Sequence, residues 1–84
     1  MSKKSPAVGY VFKKIRTTPK SKLMEMLADS PLTIRDLSLV NDLCTGLSIS
    51  ELSDKYYLTP SGVSKWKRNV CEKIHTFDMA NLKR

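Results

Sequence analysis

Ser61, Ser64, Lys65 and Arg68 combine hydroxyl and cationic side chains at spacings of three, four and seven residues. On a helix that spacing places all four on one face. Such groups donate hydrogen bonds to base edges and adjacent phosphates, and Arg68 or Lys65 is best able to contact guanine. Thr59, Lys67, Asn69 and Lys73 are expected to position such a helix on a nucleic-acid backbone. Ser48 or Ser50, at the start of the preceding helix, would assist them. No comparable set supports catalysis. His75 is the sole histidine, follows Cys71 by four residues, and lacks the further ligands or base that a metal site or nucleophile pair needs. Gly9, Gly46 and Gly62 are too scattered to form a phosphate loop. Cys44 and Cys71 read as reduced, buried thiols of a cytoplasmic protein. An enzyme, a cofactor and a metal are therefore not expected.

Two short helices and a tight turn must hold these groups in place. Thr59 and Pro60 open the second helix as N-cap and first residue, where proline lacks no needed donor. Its expected span is about Pro60 to His75. Val63, Trp66, Val70 and Ile74 cluster within about 80° of one another on this helix, opposite Ser61, Ser64, Lys65, Arg68 and Glu72. Trp66 therefore reads as a core residue rather than a base contact, with Lys67 and Cys71 at the border. The first helix runs from about Ile49 to Tyr56 behind a Ser48–Glu51 capping box. Leu52, Tyr56 and Ile49 face inward, and Ser53 lies where the helices approach most closely. Gly46 ends the helix before it.

Every proline in the remaining chain follows a hydroxyl residue. Ser5-Pro6 opens a helix with Val8, Val11, Phe12 and Ile15 on one face. Alternation of Val8, Tyr10 and Phe12 leaves a strand as the second choice. Thr18-Pro19 opens a helix to about Ala28, with Leu23, Leu27 and either Met24 or Met26 inward. Ser30-Pro31 reads as a turn before Thr33, which caps a helix from Ile34 to about Thr45 with Asp36 completing the box. Leu37, Val40, Leu43 and Cys44 form its expected buried side. Phe77 to Leu82 is expected as a short final helix. The sum is an all-α helix-turn-helix bundle of four to five helices with a basic N-terminal extension. Residues 1–17 form the arm or short helix, and residues 18–84 the helical domain. No apolar run approaches the roughly 18 residues of a membrane helix, and no signal-peptide core is evident.

Charge is unevenly placed along the 84 residues. Residues 1–24 hold seven basic residues and no acid, whereas residues 25–84 hold eight of each, so the formal +7 lies entirely in the N-terminal segment. That segment reads either as a solvated tail or as an arm on the DNA backbone using Lys13, Lys14 and Arg16. The interleaved Tyr10, Val11, Phe12 and Ile15 favour the ordered arm or helix.

The block from Leu32 to Ile74 resembles the DNA-binding domain of LuxR-type transcription factors. Leu32-Thr33 with Arg35-Asp36 is similar to that family's Leu-Thr-x-Arg-Glu opening. Gly46-Leu47-Ser48 matches its Gly-Leu/Met-Ser, and Glu51-Leu52-Ser53 its Glu-Ile-Ala. Leu58-Thr59 with Val63-Ser64 and Lys73-Ile74 complete the resemblance. It covers about half of the chain. Asp42 departs from it, standing where an apolar core residue is usual, so that helix is expected to rotate or to expose this turn. Trp66 and Ser64 also depart, replacing a frequent His and Lys. Region 4 of bacterial sigma factors shares the architecture. The resemblance implies binding of double-stranded DNA by a bacterial, plasmid or phage regulator, as a homodimer through the last helix. The alternative from another class is an interaction module that binds RNA polymerase or a regulator partner without reading DNA. RNA binding is disfavoured by the lack of an aromatic stacking platform.

Overall fold

The computed structural model describes residues 6–82, with side chains through Asn81. It contains α1 (Pro6–Thr17), α2 (Lys20–Leu27), α3 (Ile34–Thr45), α4 (Ile49–Tyr56) and α5 (Pro60–Leu82). No strand occurs among the described residues, and no helix there is long and apolar enough to cross a membrane. Ser5, Lys3 and Lys4 of the basic N-terminal segment lie outside the described residues.

Local capping sets most helix boundaries. At α3, the Thr33 hydroxyl accepts from the Asp36 amide at 3.1 Å, and the Asp36 carboxylate accepts from the Thr33 amide at 3.3 Å. Gly46 ends α3 in the left-handed conformation at φ 91°, which costs glycine no Cβ clash. Ser48 and Glu51 repeat the reciprocal pattern at α4 with bonds of 3.2 and 2.9 Å. Thr59 Oγ1 accepts from the Gly62 amide at 3.0 Å at the start of α5. Each box satisfies amides that the first helical turn would otherwise leave without partners. At α2 the expectation shifts by one residue. Pro19 itself is the N-cap, with φ −57° and ψ 141°, and no side chain caps that helix.

α5 is the spine of the bundle. α1 packs along one side of it, α4 packs on another, and α2 packs against α3. Val63, Val70, Cys71 and Ile74 give α5 its buried stripe. Ala7 and Val11 of α1, one turn apart, complete the contact on one flank, and Leu52 of α4 enters with no exposed surface. Leu23 and Leu27 of α2 close the far side over Leu39, Val40 and Leu43 of α3.

Three expectations are corrected here, and two open alternatives are resolved. Residues Phe77–Leu82 are not a separate helix but the continuation of α5, because no glycine or proline interrupts it and Asp78 is buried. The first choice for the described N-terminal segment holds: Pro6–Thr17 is helical, not the alternative strand. Met24 is half-buried while Met26 is exposed, which resolves the choice between them. On α3 the buried side includes Leu39, which the periodicity left out, while Leu37 and Cys44 are only half-buried. The cause is a pair of aspartates, Asp36 and Asp42, drawn inward by partners from α4 and α5. Asp42 is thus neither exposed nor a sign of a loosened turn. It is 3% exposed and fully bonded.

Candidate nucleic-acid interface

The turn between α4 and α5 fixes how the second helix of the unit is presented. Tyr57 caps α4 at φ 57° and ψ 41°, a left-handed conformation that is costly for a residue with a Cβ. The Leu58 amide donates to the Ser53 carbonyl at 3.1 Å, and the Ser53 hydroxyl donates to the Leu58 carbonyl. Ser53 therefore ties the turn shut, a role more specific than leaving room between helices. Tyr57 itself is 94% exposed.

α5 is held in rotation by its inner face. Trp66 Nε1 donates to Asp36 Oδ1 at 2.8 Å, and its ring meets Tyr56 edge-on at 4.9 Å between centroids. Trp66 is half-buried and engaged internally, as its face predicted. Burial alone would raise the Asp36 carboxyl pKa. Bonds from Trp66 and Thr33, with the charge of Lys73, outweigh it and hold the group below its ordinary 3.8. Asp42 is governed in the same way. It accepts from Lys55 Nζ at 2.8 Å and from the Tyr56 hydroxyl at 2.5 Å, and these bonds outweigh burial to keep its carboxyl below the usual value. Tyr56 also bonds Ser38 Oγ at 2.7 Å, so one set of bonds ties α3 to α4 and another ties α3 to α5, the two meeting at the Tyr56–Trp66 ring contact. A network with every member satisfied fixes helix register without leaving a buried charge unpaired.

With its inner face pinned, α5 projects Ser61, Ser64, Lys65 and Arg68 to solvent along the first half of its length. All four line an open groove of about 1010 Å³, and the opposite wall is the first turn of α1, with Pro6, Val8 and Gly9. Lys67 also lines this groove and is half-buried, its ammonium 5.5 Å above the Phe12 ring. Asn69 is exposed. Lys73 is exposed at its tip but sits 3.6 Å from Asp36 Oδ2, so it bridges the polar network and the surface. Thr59 and Ser48 have their hydroxyls committed to caps, while Ser50 is exposed beside them.

The N-terminal cations divide. Lys13 and Arg16 are exposed on α1. Lys14 turns inward, where it and the Tyr10 hydroxyl both donate to Asp78 near the end of α5. Burial pulls the Lys14 pKa below its ordinary value. The Tyr10 ring also packs edge-on against His75 at 4.9 Å. Lys14 is thus part of the clasp joining α1 to α5 and not, as its place among the N-terminal cations suggests, a contact for a DNA backbone.

One residue of this surface escaped the sequence-based site. Arg35 on the first turn of α3 stacks over Trp66 at 5.2 Å and Tyr56 at 5.8 Å. With Lys65 and Asn69 it lines a shallow depression of about 360 Å³ on the flank of α5 away from the α1 groove. The available signal was its place beside Asp36, whose bond to Trp66 brings the start of α3 against α5. No family model, curated protein or solved structure significantly matches the chain.

Proposed function

We propose that this chain is a sequence-specific double-stranded-DNA-binding transcriptional regulator of the cytoplasm, with the first half of α5 in the major groove. One observation carries the proposal. Ser61, Ser64, Lys65 and Arg68 share an exposed face of a helix whose opposite face is locked by Val63, Trp66 and Val70. A single helix fits the major groove, and base edges there are read by groups of this kind. Arg35 and Lys67 flank the helix on its two sides and suit phosphate contacts. The resemblance to LuxR-type domains supports the same reading. Dimerisation through the end of α5 belongs to this proposal, with sedimentation as its check. The experiment is in-vitro selection of bound duplexes from a random pool. Enrichment of a defined motif supports the proposal, and an unenriched pool contradicts it.

A second reading has one observation in its favour. Pro6 and Val8 give the groove an apolar wall, which suits a protein segment of RNA polymerase or of a regulator partner. In that case the chain would show no salt-dependent binding to duplex at low ionic strength.

A further inference from the structure

Gly9 lies inside α1, where glycine weakens a helix relative to alanine. The fold supplies no reason for it. A Cβ built there meets nothing within 4 Å, and its backbone is not in the positive-φ region. What Gly9 does is line the groove that faces Ser61, Ser64, Lys67 and Arg68. Without a Cβ, Gly9 leaves the α1 backbone open to close approach from the groove. A second observation lies across the groove. The Lys67 ammonium stands over the Phe12 ring of α1, so the same pair of helices holds a cation at a defined place.

From these we infer that the groove between α1 and α5 seats the sugar–phosphate backbone of the DNA strand flanking the recognition helix. Gly9 is the point of closest approach, and Lys67 is the phosphate contact. This rests on the DNA-binding role proposed above. Charge favours a polyanion as the occupant, because Lys65, Lys67 and Arg68 line the groove and no carboxylate does. Lys13 and Arg16 follow Gly9 by four and seven residues and are exposed with it, so a cationic track leads out of the groove along α1. The apolar wall of Pro6 and Val8 is compatible with deoxyribose.

Three variants test this: Gly9→Ala, Gly9→Leu and Lys67→Met, the last keeping the stem over Phe12. Each is measured for thermal unfolding and for affinity to random and selected duplexes across salt concentrations. Gly9→Ala should raise Tm by roughly 4 °C while weakening DNA binding, a reversal of sign between stability and function. Gly9→Leu should stay folded and bind about tenfold more weakly. Lys67→Met should flatten the log–log salt slope by about 0.9, the loss of one phosphate. Unchanged duplex binding by both Gly9 variants overturns the inference and leaves the groove to a protein segment. A fall in Tm for Gly9→Ala would show that the fold itself needs the glycine, and overturns it as well. If the unaltered chain binds no duplex at low salt, the DNA-binding proposal fails, and this inference fails with it.

Discussion

The interior of the bundle and the outer face of α5 treat charge in opposite ways. Inside, Asp36, Asp42 and Asp78 are each 3–8% exposed, and each accepts two bonds, at least one of them from another helix. Outside, Lys65 and Arg68 stand exposed beside hydroxyls, facing solvent. A buried carboxylate can specify how helices meet because leaving it unpaired is costly. The solvent-facing cations on the outer face of α5 are placed to meet a polyanion. The same chain thus separates structural charge from charge that a partner can use.

Substitutions should respect that division. Leu52→Ala removes a side chain with no exposed surface between α4 and α5. It should cost about 2–5 kcal/mol in denaturant unfolding. Its DNA affinity per folded molecule should be unchanged. Asp42→Asn should cost about 1.5–3 kcal/mol, since it weakens charge-assisted bonds from Lys55 and Tyr56. The pH dependence fixes the sign. The folded Asp42 and Asp36 carboxyls titrate below their ordinary 3.8, so their stabilisation is complete above about pH 4 and is lost as pH falls through the folded values. The Asn variant should lose part of that acid limb, and an acid transition identical to the parent's would break the interior half of the comparison.

On the outer side the expectation inverts. Arg68→Ala should leave the unfolding midpoint unchanged yet cost about 1–3 kcal/mol of binding to a preferred duplex, relaxing preference at one base position. Lys73→Ala should weaken preferred and random duplexes alike. Equal losses for Arg68→Ala on both kinds of duplex would remove base reading from the account. The smallest effect belongs to the turn. Tyr57→Gly relieves a left-handed residue and should stabilise by up to about 1 kcal/mol, measured by thermal melting.

What was legible in the chain was local. Thr33–Asp36, Ser48–Glu51, Gly46 and Thr59-Pro60 act over three or four residues, so their pattern specifies caps without knowledge of the fold. The outer and inner faces of α5 were legible for the same reason, since an amphipathic period needs no partner to be read. What was not legible depends on distant residues. Asp42 finds Lys55 and Tyr56 13 and 14 residues later, and Lys14 finds Asp78 64 residues later. Those distant partners decide which polar side chains turn inward, and hydrophobic periodicity alone does not show them. The groove at Gly9 was hidden too, because it exists only once α1 docks on α5.

The central claim is that the outer face of α5 and its flanks bind duplex DNA. It is tested most directly by measuring affinity for a random duplex as salt is varied. Salt-dependent binding is expected, with a log–log slope of about −2.7 or steeper, corresponding to at least three phosphates at roughly 0.9 each. Absence of salt-dependent binding at low ionic strength would contradict it.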